Sequence, residues 1–380
     1  MHIITFASNV SFRYIKSAGT HMFTASPRVP YIFSFSQFDA INATEPVSKL
    51  IVSDSLFWPR LPAFTVRPTG GRGESVLFFT GAGGYGDQIM AWPVAKVLHD
   101  MGYRVHILCD PGNDHLWGWF SWVASVRVMP FPLSETEDFD HLALYAYVTN
   151  VDEHAGQPHP TDHLFRLIGI DPTTVPETFK RVAPPLSLGQ LSVAGGASSN
   201  LGLIQLSGSN IVRRPTPERL KTTLTRLVKE VPLDWIGLHD VDDEHFAAAR
   251  EVAATNPSLQ VRMNTPFDEF VGLTAAARIT IGPDSFLTHL RGAMGLPGIT
   301  IFGTHHPAIR IRYYPEMRAV WEQHACPSSP CLVFRRVFPK YLCPPLPTPR
   351  QECAVIGAGY DVLVDSVKKL VEELKPQVKA

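Results

Sequence analysis

Apolar and polar positions fall into distinct regimes along the chain. Residues 1–73 alternate aromatic and polar side chains, as in YIFSFSQF and LFWPRLPAF, with no sustained helical period. That pattern predicts short strands and loops. Pro68 and the run Gly70-Gly71-Arg72-Gly73 then read as a linker. At Ser75 the pattern changes. VLFFT (76–80) is a continuous apolar run that suits a buried parallel strand, and GAGGYG (81–86) is a glycine-rich turn. Ile89, Met90, Val94, Val97, Leu98 and Met101 then recur at helical spacing, with Gly102 where a helix C-cap belongs and RVHILC (104–109) as the next strand. Residues 111–195 are rich in Pro, Trp and His and lose this rhythm, although FRLIGI (165–170) suits a helix.

From Leu201 the rhythm returns. LGLIQL (201–206), DWIGL (234–238), LQVRM (259–263), ITI (279–281) and ITIFG (299–303) read as strands. Helices are expected between them at 217–231, 243–254, 266–276 and 285–295, the first opened by a Thr216 N-cap and Pro217. A last helix over 361–375 carries the stripe Val362, Leu363, Val367, Leu370, Val371 and Leu374. Strands alternating with helices of this size specify doubly wound parallel sheets, here two Rossmann-like units. The expected division is a β-rich N-terminal extension (1–73), an N-terminal Rossmann-like domain (74–195), a C-terminal one with a cysteine-rich tail (196–355) and a C-terminal helix (356–380).

Composition narrows the function classes. Lys and Arg total 34 against 35 Asp and Glu, so the chain lacks the basic excess of a general duplex-DNA binder. It contains no run of eighteen apolar residues, so no membrane span is expected. Its first residues lack a charged segment followed by a long apolar one, so no signal peptide is expected and a cytoplasmic location follows. Cys326, Cys331, Cys343 and Cys353 are spaced C-x4-C-x11-C-x9-C. Four thiolates suit a structural zinc, two disulfides are the oxidising alternative, and four unrelated thiols the plain one.

Two segments carry candidate chemistry. Gly81, Gly83 and Gly86 satisfy G-x-G-x-x-G between a strand and a helix, and Asp110 follows the next strand, as in a dinucleotide fingerprint. Asp87 opposes that reading, because a carboxylate in the first turn of the helix meets a pyrophosphate with like charge. It either complements the helix dipole or faces an acceptor hydroxyl as a general base. The second segment is GPDSFLTHLRGAMGLPGITIFG (282–303). Asp284 and Ser285 end a strand and open a helix, where backbone N–H groups and a hydroxyl hold a diphosphate, and His289 lies one turn on. The plain alternative makes Ser285 an N-cap and His289 a satisfied helix histidine.

Gly84-Tyr85-Gly86-Asp87 with Pro93, then Asp284-Ser285-x-x-x-His289 with Gly295-Leu296-Pro297 and Ile301-Phe302-Gly303, resemble in order the two motifs of the heptosyltransferase family (glycosyltransferase family 9). LIQLSGSNIVRRPTPERL (203–220) is similar to that family's segment of strand, polar loop, basic residue and helix. The resemblance covers 75–310. It implies a GT-B architecture of two facing Rossmann-like domains with parallel sheets, an N-terminal half for the acceptor and a C-terminal half for the donor. It implies Asp87 as catalytic base, beside an acceptor-side loop of Gly83, Gly84 and Gly86. It assigns Ser209, Arg213 or Arg214, Asp284, Ser285, Phe286 and His289 to the donor. Phe286 and Arg291 depart from the family's small residues, and residues 1–73 have no counterpart in it. The expected reaction is inverting transfer of a heptose or other hexose-like sugar from a nucleotide-diphosphate donor to a hydroxyl acceptor. No cofactor and no active-site metal are required. Lipopolysaccharide core is that family's usual acceptor, and a protein, a small molecule or a modified nucleic-acid base stays open. Rival readings are an NAD(P)-dependent oxidoreductase, a nucleotide-sugar epimerase and a non-catalytic nucleotide- or sugar-binding module.

Overall fold

The computed structural model describes residues 2–6, 10–16, 19–26, 29–33, 50–52, 66–67, 70–81, 84–144, 159–196, 200–206, 213–331 and 352–375. The chain divides into two compact units, one of residues 1–150 and 160–184 and the other of 151–159 and 185–380. The extension supplies β1 (His2–Phe6), β2 (Val10–Lys16), β3 (Gly19–Ala25), β4 (Pro30–Phe33) and β5 (Leu50–Val52). β2 and β3 form an antiparallel hairpin, and β1 pairs antiparallel with both β4 and β5.

The first unit continues with β6 (Ser75–Gly81), α1 (Tyr85–Asp100), β7 (Arg104–Cys109), α2 (Asp114–Trp117), β8 (Val123–Val128), β9 (Phe131–Pro132), β10 (His141–Leu144) and α3 (Pro160–Leu167). β9 joins the small antiparallel sheet beside β4. The other strands form a parallel sheet in the order β10-β6-β7-β8. Val76, Leu77, Phe78 and Phe79 are all buried, so both faces of β6 are covered, which is why its sequence runs apolar without alternation. α1 ends at Gly102, whose φ of 88° is the left-handed turn that glycine adopts without strain.

The second unit contains α4 (Leu188–Gly196), β11 (Leu201–Gln205), α5 (Pro217–Glu230), β12 (Asp234–His239), α6 (Glu244–Ala253), β13 (Leu259–Met263), α7 (Phe267–Ala276), β14 (Ile279–Pro283), α8 (Phe286–Ala293), β15 (Gly298–Ile301), β16 (Met317–Val320) and α9 (Ala354–Glu373). Its strands are parallel in the order β13-β12-β11-β14-β15-β16. The order therefore reverses between β11 and β14, and ligands of open α/β sheets bind at the carboxyl ends of such a switch point. One core cluster joins this sheet to α5, α6 and α9.

Several boundaries differ from the sequence reading. Residues 111–195 hold β8, β10, α3 and α4, and only Phe165–Leu167 of FRLIGI is helical. α9 starts at Ala354 because Val355, Ile356 and Tyr360 already pack into the core, whereas Val362 of the expected stripe is 37% exposed.

Candidate functional site

Asp284 leaves β14 at the switch point with only 5% of its surface exposed. Donors from three segments surround it. Arg213, in the segment after β11, donates from its guanidinium to the Asp284 carbonyl and brings a second nitrogen 3.8 Å from Oδ2. His289 Nε2, from α8, lies 3.4 Å from Oδ1. His305 Nδ1 and Arg310 Nε, from the segment after β15, lie 3.4 and 3.5 Å from Oδ2. Burial alone would raise the pKa of this acid. Arg310 and Arg213, with the two imidazoles, overcome it and hold the carboxyl well below its usual range. Burial, reinforced by Arg310, pulls His305 down to about 3, so its imidazole is neutral at physiological pH.

Ser285 occupies the N-cap of α8 without a side-chain cap. Its hydroxyl instead donates 2.6 Å to Gln205 Oε1, which bridges the carboxyl ends of β14 and β11 across the switch point. The first turn of α8 presents N–H groups that a helix leaves without intrahelical acceptors. His289 is buried, packs edge-on against Tyr314, and keeps Nδ1 without a hydrogen-bond partner. Phe286 stacks between Phe267 and Phe270, at 5.7 and 5.4 Å between ring centroids.

The two arginines left open by the sequence part company. Arg213 turns to Asp284, whereas Arg214 donates 2.9 Å to Asp243 Oδ2, the N-cap of α6. Asp243 also meets the Nε2 of His239 at 2.7 Å. Arg291 is a fold element. Its buried guanidinium donates to the carbonyls of Pro297, Thr274, Ala277 and Arg278, tying the end of α7 to α8.

In the first unit Asp87 stands in the first turn of α1, half-buried. The Gly84 backbone N–H donates 2.9 Å to its Oδ2, a reciprocal arrangement at the helix start. Gly84 and Gly86 open that helix, and Asp110 of the dinucleotide reading is fully buried. Gly83, Ser209 and Cys343 lie outside the described residues.

The family model of glycosyltransferase family 9 (heptosyltransferase) matches residues 239–342. The fold of this chain is similar to that of E. coli ADP-heptose lps heptosyltransferase II (12% identity, TM-score 0.56, 79% of this chain and 99% of that one). It is similar to a family 9 glycosyl transferase from Veillonella parvula (10% identity, TM-score 0.57, 81% and 99%). It is also similar to the iron-containing dodecameric glycosyltransferase TibC from enterotoxigenic E. coli (15% identity, TM-score 0.55, 97% and 95%). Among curated proteins, none matches the sequence. The architecture is therefore the GT-B fold, as in these heptosyltransferase structures.

Sequence reasoning missed Gln205, His305 and Arg310 at this site. His305 and Arg310 sit in THHPAIRIR (304–312), where the only signal is a cluster of basic and aromatic-ring nitrogens directly after a buried strand. Two Asp-x-Asp triplets occur, at 138–140 and 240–242, but among the described residues no three His, Cys, Asp or Glu side chains cluster to hold a metal. Among them, too, no helix is long and apolar enough to cross a membrane. Cys326 and Cys353 both pack against the main core of the second unit, and burial raises the Cys353 thiol.

Proposed function

We propose that this glycosyltransferase moves a heptose or other hexose-like sugar, with inversion, from a nucleoside-diphosphate donor to a hydroxyl acceptor in the cytoplasm. The observation that carries the reading is the convergence of Arg213, His289 and the α8 N-terminus at the β11/β14 switch point. Positive groups and N–H donors there suit a departing diphosphate. The acceptor oxygen attacks the anomeric carbon while the bond from that carbon to the diphosphate breaks. The electron pair of the broken bond leaves on the diphosphate, and the acceptor proton passes to the Asp87 carboxylate. The transition state has oxocarbenium character. Gly84 and Gly86 keep the start of α1 open to an acceptor, and Arg213 rather than Arg214 contacts phosphate, since Arg214 is committed to Asp243.

A TibC structure contains ADP-D-beta-D-heptose, which makes ADP-heptose the first donor to try. TibC is also iron-containing, and Cys326, Cys331, Cys343 and Cys353 supply a donor set for one structural metal, zinc or iron. Elemental analysis tests this directly. The activity test incubates the full chain with ADP-heptose, and with other nucleotide sugars, in the presence and absence of candidate hydroxyl acceptors. The reading requires acceptor-dependent release of nucleoside diphosphate and an inverted anomeric centre in the product. A retained centre removes the single-displacement step. Epimerised sugar without transfer, or tight binding of NADH instead, replaces the reading with one of its rivals.

A further inference from the structure

We infer that Glu352 is a positioning residue for the donor end of the second unit: it completes the cap of α5 from outside that helix and so holds the segment that ties Arg213 to Asp284. This rests on the reading of the α8 N-terminus as the diphosphate-binding end. It adds a residue just ahead of α9 that the sequence reading did not single out.

Thr216 is the N-cap of α5, and its hydroxyl accepts from Arg219 N at 3.3 Å. In a capping box the third helical residue is Glu or Gln, whose side chain reaches back to the N-cap N–H. Here that residue is Arg219, which has no acceptor. Pro215 and Pro217 flank the cap, so Thr216 carries the only backbone N–H of the three. Glu352 supplies the missing half of the box. Thr216 N–H donates 2.7 Å to its Oε1, and Arg219 Nε donates 3.0 Å to its Oε2. The residue that cannot accept thus fixes the carboxylate that can. Gly357, in the first turn of α9, leaves the room for it: a β-carbon there would stand 2.5 Å from Glu352 Oε2.

The segment held in this way leads to the donor end. Each of its four residues is tied down. The Arg213 guanidinium donates to the Asp284 carbonyl, Arg214 donates to Asp243, the Pro215 carbonyl accepts from His245 Nε2 at 2.7 Å, and Thr216 donates to Glu352. Asp284 immediately precedes Ser285, the N-cap of α8. Its carbonyl shares one rigid peptide plane with the Ser285 N–H. The Arg213 bond therefore orients the start of α8, and Glu352 holds the segment from which Arg213 reaches it. α5 and α9 do not depend on Glu352 for their own packing. Arg219 pairs with Asp361, Arg226 with Asp365 and Lys368 with Glu230, and one apolar core joins the two helices. Loss of the Glu352 acceptor should free the segment while both helices stay in place. Glu352 also stands directly before Cys353, the N-cap of α9, so the cysteine-bearing tail ends on this contact.

The test titrates inorganic pyrophosphate, which carries no base or sugar, calorimetrically into the full-length protein and its E352Q, E352L, G357A and L363A variants, each with a thermal melt. E352L removes the acceptor and should weaken pyrophosphate about three- to tenfold, the loss of one hydrogen bond. E352Q keeps an acceptor oxygen for Thr216 without the charge that faces Arg219. It should melt lower, yet bind within about twofold of wild type. G357A suits a helix better than glycine but pushes the Glu352 carboxylate aside, so affinity should fall as in E352L with no drop in melting point. L363A opens a cavity at a fully buried position of α9, away from Glu352, and should melt lower with wild-type affinity. Wild-type affinity in both E352L and G357A overturns the positioning role and leaves the glycosyltransferase reading standing. Affinity that follows melting point across all four variants does the same, since that is what a purely structural glutamate predicts. Equal losses in E352Q and E352L overturn the capping role. If E352L does not fold, G357A decides. If neither pyrophosphate nor ADP binds the wild-type protein, the inference falls together with the reading beneath it.

Discussion

Asp87 and Asp284 occupy matching places in the two units. Each follows a parallel strand at the point where strand order reverses, and each stands at the N-terminus of the next helix, where the dipole favours a carboxylate. From there they diverge. Asp87 is half-exposed in the first turn and accepts the N–H of its own cap residue. Asp284 stands one residue before its cap, 5% exposed, ringed by two arginines and two histidines. A carboxylate so enclosed stays an anion through the neutral range and exchanges no proton there. A carboxylate open to solvent at a helix start can accept one from an incoming hydroxyl. The same dipole thus leaves one carboxylate half-exposed at a helix start and the other enclosed by cations, and neighbours decide which.

The largest effect is expected at Asp87. Asp87→Asn keeps the shape and an acceptor oxygen for Gly84, so folding should survive, with any stability loss below about 1 kcal/mol. It cannot take a proton, so transfer should fall by about 10²–10⁴, while nucleoside diphosphate affinity in the other unit stays unchanged. Near-normal transfer by this variant would make Asp87 a dipole complement only and erase the contrast with Asp284.

Next comes the staple behind the second helix. Arg291 reaches four carbonyls, and burial lowers it to about 9, so it is charged at pH 7. Arg291→Met leaves those carbonyls without their donor and should cost about 2–4 kcal/mol, read by urea unfolding. A cost under about 0.5 kcal/mol would mean that α8 keeps its place without the staple, as family members with a small residue there imply.

Acid should then separate the two sites. His305 titrates at about 3 in the folded protein against an ordinary 6.5. Between those values the unfolded chain binds a proton that the folded chain does not, so stability falls as pH drops below 6.5. At pH 5 the loss from this residue is about 2 kcal/mol, at about 1.4 kcal/mol per pH unit. Asp284 adds nothing in that window, because its folded and unfolded values both lie below 5. His305→Gln should therefore flatten the difference in stability between pH 7 and pH 5 by about that amount. An unchanged slope would show that His305 is not the group held neutral beside Asp284.

What was legible follows from physics at two ranges. The strands after Leu201 announced themselves because sheets covered on both faces require continuous apolar runs. β8 and β10 did not, for they are the edges of the first unit's sheet: β8 is only partly buried, and in β10 His141 and Leu142 are half-buried beside a buried Ala143. Asp284, His289 and Arg213 could be found because each stands at a fixed offset from a strand end or helix start. Arg310 and His305 could not, since irregular chain with no period delivers them to Asp284, and only the packing of β14 beside β15 brings the two segments together.

The smallest expected effect concerns Ser285, and it asks whether the unoccupied cap of α8 is as purposeful as the occupied one of α1. Gly84 N–H is matched by Asp87, whereas the Ser285 hydroxyl leaves its own helix to reach Gln205. Ser285→Ala removes one half-exposed hydrogen bond and should cost less than about 1 kcal/mol of stability. If that hydroxyl turns to a phosphate oxygen when the donor binds, pyrophosphate affinity should fall about three- to tenfold, one hydrogen bond to a charged acceptor. The loss stays small for a specific reason. Without Ser285 as donor, the Gln205 amide is released to rotate and present its own NH₂ to the same anion, so the site exchanges one neutral donor for another. Ser285→Ala combined with Gln205→Leu removes that substitute. The double variant should therefore lose more affinity than the two single changes added together, and strict additivity would assign the Ser285–Gln205 bridge to the fold alone.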